Sequence, residues 1–204
     1  MDDRTGFTHA HEASLETSLD FINTLEFSAV AALEHLPTAD AAAAWLAGRG
    51  LVHPSESGPA LARPSSLERL RRVRSALREI GQAAVERRAA DPRAVGEVNR
   101  ALRSRAVLEL VPAADGVSLG HRHVGDPLAD ALAALAEPLV REIASARRER
   151  LRFCANDACR WIFFDASRTG RRRWCDMSTC GNRAKAARHR ARLRDDEPLA
   201  SGSS

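Results

Sequence analysis

Cys154-Ala-Asn-Asp-Ala-Cys159 and, fifteen residues later, Cys175-Asp-Met-Ser-Thr-Cys180 hold every cysteine of the 204-residue chain. Four thiols within 27 consecutive positions, and none in the other 177, form a constellation rather than a scatter. In a secreted protein this spacing would suggest two disulfides. The N-terminus, Met1-Asp-Asp-Arg-Thr-Gly-Phe, lacks the apolar core of a secretory leader, so the expected location is the cytoplasm. Thiols stay reduced there, and clustered thiolates read as a metal site. Tetrahedral Zn²⁺ takes four sulfurs at about 2.3 Å, and two short loops can each supply two. We therefore expect one structural Zn²⁺ on Cys154, Cys159, Cys175 and Cys180. Four cysteines would close the coordination shell, which argues against a catalytic ion. The spacing contains no C-x-x-C of a redox pair, and iron–sulfur ligation is the minor alternative.

Between the loops, Arg160-Trp-Ile-Phe-Phe-Asp-Ala-Ser167 is rich in strand formers, Arg168-Thr-Gly170 reads as a turn, and Arg171-Arg-Arg-Trp174 reads as a returning strand. After Cys180 the sequence Gly-Asn-Arg-Ala-Lys-Ala-Ala-Arg-His-Arg-Ala-Arg-Leu-Arg194 is helical, which places Cys180 near a helix N-terminus. The segment predicts a small treble-clef-like or ribbon-like zinc finger over 151–194.

The finger is also where the charge lies. Residues 151–194 carry twelve basic side chains against three acidic ones, whereas residues 1–150 are close to neutral; the whole chain is +4. Such asymmetry points to a polyanionic partner. On the C-terminal helix Lys185, Arg188, His189 and Arg192 follow i, i+3, i+4, i+7 and share a face, with Arg183 and Arg190 on a second edge. That face could read base edges in a major groove. Arg171, Arg172 and Arg173 are better suited to phosphates. Ala184, Ala187 and Ala191 lie between the basic edges and could pack on the hairpin. The competing reading is that arginines merely solubilise the chain, since 30 of its 31 basic residues are Arg. Trp161, Phe163, Phe164 and Trp174 could stack on unpaired bases, which would favour RNA, but a finger this small needs them as core.

Residues 1–150 read as a mainly α-helical domain with one short β-hairpin. Leu15, Leu19, Ile22, Leu25 and Phe27 start an amphipathic stretch that could run to Leu36. Thr38 caps a helix over 39–47, and Ser65 with Glu68 has capping-box spacing before Leu70, Val73, Leu77 and Ile80. Asp91-Pro92 and Asp126-Pro127 begin two more helices. The second keeps its apolar register through Pro138, as one kinked helix. Residues 106–124 fit the hairpin. The expected core includes Leu70, Leu77, Leu132, Leu135, Leu139 and Ile143, and residues 195–204 are expected to be a disordered tail. On this reading the finger is a separate unit, and metal loss should unfold it and leave the helical body intact.

Cys180-Gly-Asn-Arg183 is similar to the signature of the CGNR zinc fingers, and Ser167-Arg-Thr-Gly-Arg-Arg-Arg-Trp-Cys175 resembles the arm that precedes it there. The match continues through Ala184-Lys-Ala-Ala-Arg-His-Arg-Ala-Arg192. At the other end, Leu19-Asp-Phe-Ile-Asn-Thr24 resembles the opening motif of the ABATE domain that usually precedes this finger. The resemblance implies that the four cysteines are zinc ligands and that the protein is a bacterial transcription regulator.

The expected function is nucleic-acid binding, DNA before RNA. The alternatives are an RNA-binding finger, a protein–protein module scaffolded by zinc, and a small-molecule-binding or enzymatic body tethered to nucleic acid. Asp20 and Asn23 stand out as polar residues beside Leu19, Phe21 and Ile22. They could face a pocket for an effector, against a capping or interhelical hydrogen-bonding role. No Gly-x4-Gly-Lys phosphate loop, Gly-x-Ser-x-Gly elbow or His-Glu-x-x-His occurs, and no apolar run is long enough to span a bilayer. An enzyme and a membrane partner are therefore not expected.

Overall fold

The computed structural model describes residues 13–27, 32–52, 61, 63–104, 107–114, 116–122 and 126–195. The expected tail beyond Asp195 and the histidines near the N-terminus lie outside them. Helix α1 (Leu15–Asn23) starts where Ser14 Oγ accepts from Thr17 N at 3.0 Å. Helix α2 (Ala39–Gly48) starts where Thr38 Oγ1 accepts from Ala41 N at 3.1 Å. Asp91 caps α4 (Pro92–Leu102) by accepting from Arg93 N, and Asp126 caps α5 (Pro127–Ala144) by accepting from Ala129 N, each at 2.8 Å. These short side chains satisfy backbone N–H groups that the first turn leaves open. Helix α3 (Pro64–Glu86) begins differently. Pro64 takes its first position, with φ already suited to the helix, so Ser65 lies inside the turn and forms no capping box.

Helix α1 is shorter than its apolar spacing suggests. Thr24 Oγ1 donates to Phe21 O at 2.7 Å and closes the last turn. The chain then forms an antiparallel pair, β1 (Leu25–Phe27) with β2 (Ala32–Glu34). That pair is pinned from α3 by the buried Arg74, which donates to Thr24 Oγ1 at 3.0 Å and to Glu34 Oε1 at 2.7 Å. A bidentate guanidinium–carboxylate pair outweighs continued helix here. The expected hairpin is present as β3 (Val107–Ala113) and β4 (Gly116–Arg122), and α5 continues through Pro138.

Leu70, Leu77, Leu132, Leu135 and Leu139 are at most 1% exposed and form the centre of the core with Phe21 and Ile22; Ile143 is half-buried at its edge. The core does not stop at the body. A 3₁₀ turn (Ala146–Arg150) leads into β5 (Leu151–Phe153), which pairs antiparallel with β6 (Ile162–Phe164). Leu151 and Ile162, the latter fully buried, belong to the same apolar cluster as the helices. Gly81 on α3 permits this approach: a Cβ there would lie 3.2 Å from Ile162 Cδ1. Strand β6 therefore pairs with the segment before the first cysteine loop, not with Arg171–Trp174. Strands β5 and β6 of the finger are built into the body's core, which bears against an independently unfolding unit.

Candidate metal centre and nucleic-acid interface

The four sulfurs lie within 4.8 Å of one another. Cys159 and Cys175 are 3.7 Å apart, and Cys175 and Cys180 are 3.8 Å apart. Four sulfurs at about 2.3 Å from a tetrahedral ion have edges of about 3.8 Å, so the cage has the dimensions of a zinc site. Cys154, Cys159 and Cys180 are buried and Cys175 is half-buried, with Trp161 and Trp174 packed against them. The neighbouring Cys175 thiol lowers Cys159 to about 6 by donating to it, while Cys175 itself is pushed strongly up, and burial raises Cys154. Four thiolates this close repel one another, and a bound cation would offset that repulsion. The donor set fits one structural zinc.

Each loop is shaped by an Asx side chain. Asn156 Oδ1 accepts from Ala158 N at 3.2 Å, its carbonyl accepts from Cys159 N at 2.8 Å, and its Nδ2 lies 3.4 Å from Cys180 Sγ as donor. Asp176 Oδ1 accepts from Thr179 N at 2.8 Å and from the Ser178 hydroxyl at 2.6 Å. Those hydroxyls and that amide lower its carboxyl to about 2. Next comes a π turn (Met177–Gly181) carrying Cys180, from which α6 (Asn182–Asp195) projects.

Asp165 organises the intervening segment. It is fully buried, accepts from Ser167 N, Ser167 Oγ and Arg172 N at 3.0, 2.6 and 2.7 Å, and faces Arg152 at 3.7 Å. Burial alone would raise its pKa, but the hydrogen bonds win and hold it below the usual value. Asn156, Asp165 and Asp176 were not singled out from the sequence. An Asx residue just after a cysteine is the signal that could have found two of them.

The basic residues divide. Arg183, Lys185, Arg188, His189, Arg190 and Arg192 are all exposed on α6. Arg171 and Arg173 are also exposed, Arg173 with its guanidinium 5.2 Å from the Trp174 ring centroid. Arg172 turns inward, donating to Trp174 O at 2.8 Å and to Cys175 O, and lies 5.3 Å from the Phe163 ring centroid. It holds the second cysteine loop. Of the alanines expected to pack on the hairpin, Ala187 is exposed and Ala184 half-buried, and the side chain of Ala191 lies outside the described ones.

Asp20 and Asn23 also part company. Asp20 is half-exposed and sits 3.6 Å from Arg49, which in turn covers the Trp45 ring. Burial raises the Asp20 pKa, with Arg49 opposing. Asn23 is buried and faces the finger: its Nδ2 donates to Ile162 O at 2.8 Å, and its Oδ1 accepts from Ile162 N at 3.1 Å. The carboxamide thus pairs with β6 as a strand neighbour would. Arg78 supports it, donating to Asn23 Oδ1 at 3.3 Å and to Arg160 O at 3.2 Å. Asn23 therefore joins body to finger, and among the described residues the Asp20 and Asn23 side chains face different partners.

A helical body docked on a closed four-cysteine cage defines a zinc-finger protein whose metal is structural. The chain belongs to the ABATE family, described as a putative stress-induced transcription regulator, whose model matches residues 15–146; the model of the CGNR zinc finger matches residues 150–193. No curated protein matches the chain. No helix among the described residues is long and apolar enough to cross a membrane.

Proposed function

We propose that the protein is a DNA-binding transcription regulator of the cytoplasm, a binding protein rather than an enzyme, in which the zinc cage presents α6 to a duplex. The single observation that supports this most is the state of α6. Its basic residues from Arg183 to Arg192 are all exposed, and among the described residues its main packing partner is the metal-bearing turn at its own N-terminus. A polar helix with so little intramolecular support gains most from an external polyanion. Arg171 and Arg173 flank it as phosphate contacts, while Arg172 belongs to the fold. Lys185, Arg188, His189 and Arg192 form the face for base edges, and Arg183 and Arg190 the backbone edge. Fluorescence anisotropy with duplex pools tests the reading. With about four to five phosphate contacts, log K against log salt should slope by about −4. A folded, zinc-loaded protein without duplex affinity at low salt would overturn it.

RNA is the second reading, supported by the half-buried Trp161 and Trp174. Tight single-stranded RNA binding that is lost in Trp174→Ala, with zinc retained, would favour it.

A further inference from the structure

The seam between body and finger holds a cleft of about 780 Å³ that is used neither by the metal cage nor by α6. We propose that this cleft binds one small organic polyanion of the nucleoside di- or triphosphate class. Its walls come from both parts of the chain: the end of α3, the 3₁₀ turn, β5 and the segment carrying Arg172 and Arg173. Six arginines line it against one glutamate, Glu149. Several arginines elsewhere on the described surface face carboxylates, as Arg69 faces Asp126 at 2.8 Å and Arg141 faces Glu137 at 2.6 Å. In the cleft Arg88 is neutralised in the same way by Glu79 and Glu86. Arg148 and Arg173 have no carboxylate within 4.0 Å among the described residues, and Arg87 only reaches Glu149 at 3.9 Å. Arg87, Arg148 and Arg173 are all exposed, so the rim is cationic and accessible.

The floor differs from the rim. Ile80, Val85, Ile143, Leu151 and Phe153 give it an apolar surface. Two of the C-terminal carbonyls of α3, which would repel an anion, are occupied: Ala83 O and Ala84 O accept from the N–H groups of Arg88 and Arg87. A volume of this size is in the range of small-ligand sites and too small for a duplex. Several guanidiniums around an apolar floor match a ligand with two or more phosphate charges on a flat organic body. The site shares Arg173 with the proposed duplex surface, but its body-side arginines, Arg87 and Arg148, lie outside that surface, so the two readings can fail separately.

Isothermal titration of the full-length, zinc-loaded protein with ATP and with inorganic pyrophosphate tests the proposal at low salt. One ATP should bind per chain, about tenfold more tightly than pyrophosphate, because only ATP covers the floor. Arg148→Glu should weaken ATP by about tenfold or more and Arg87→Gln by about threefold, with the circular dichroism of both variants unchanged. Arg188→Ala with Arg192→Ala should weaken duplex binding and leave ATP affinity within about twofold. No saturable ATP binding at about 1 mM, equal affinity for pyrophosphate, or loss of ATP in the α6 variant with retention in Arg148→Glu would each overturn the assignment.

Discussion

Helices α5 and α6 are both regular, and they are held by opposite means. Helix α5 buries Leu128, Leu132, Leu135 and Leu139 and is fixed by the core on several sides. Helix α6 has no apolar stripe facing the protein, and what sets it in place is the turn that carries Cys180. Burial of area makes α5 a matter of many side chains. A single coordinated sulfur makes α6 a matter of one. The contrast also separates burial from exposure: apolar residues that stabilise the fold lie on α5, and exposed basic residues lie on α6.

The strongest way to break this contrast is to remove the metal. Cys180→Ser should abolish zinc stoichiometry in metal analysis and release α6. Because Leu151 and Ile162 lie in the common core, it should also lower the thermal midpoint of the whole protein, not of a separate finger transition. A body melting unchanged in calorimetry would show that the core is divided after all. Leu135→Ala, at a fully buried position of α5, should cost about 2–5 kcal/mol in denaturant unfolding.

Asn23→Ala tests the join between the two halves. It removes one carboxamide and leaves Ile162 N–H and C=O without their partner inside the seam, at an expected cost of about 1–3 kcal/mol for each group left unsatisfied. Asn23→Asp should be no rescue, because a carboxylate cannot donate to Ile162 O. Zinc content should stay at one per chain in both variants if the cage and the join act separately.

Asp165 sharpens the comparison through pH. Its pKa is lowered on folding, so its carboxylate stabilises the finger fully above the unfolded value, near 3.9. That contribution is lost as pH falls through the lower folded value. Asp165→Asn should therefore flatten the acid limb of stability below about pH 4 and leave its shape near neutrality unchanged, as read from urea midpoints. The smallest stability effect is expected on α6. Arg188→Ala and Arg192→Ala should change unfolding free energy by at most about 0.5 kcal/mol. The same pair should weaken duplex binding measurably, and Arg173→Ala, in the segment before the second cysteine loop, should lower the salt slope by about one. A large stability loss in the α6 pair would mean that the helix packs on the fold.

Much was legible from local chemistry. Four cysteines at C-x4-C spacing point to a metal because sulfur donors act over a few ångströms along a short loop. Asp91-Pro92 and Asp126-Pro127 mark helix starts because capping is settled within one turn. The basic excess of residues 151–194 is a count, and needed no coordinates. Capping of α3 was misread because Ser65 and Glu68 fit a pattern that Pro64, one residue earlier, pre-empts.

What the tertiary structure alone decided was non-local. The strand formers around Ile162 could pair on either side, and the choice of Leu151–Phe153 depends on α1 and α3, more than 75 residues earlier in the chain. Asn23 looked like a candidate for a pocket because a polar residue among apolar ones reads the same whether it awaits a ligand or a strand; the partner, Ile162, is 139 residues away. Arg171, Arg172 and Arg173 are indistinguishable by type, yet one turns to carbonyls of the cysteine loop and its neighbours face solvent, because Asp165 bonds the Arg172 backbone. The cationic cleft exists only where the end of α3 meets β5. Spacing along the chain determines which atoms can share an ion or a turn, whereas packing of distant apolar surfaces determines which polar groups are left to face one another.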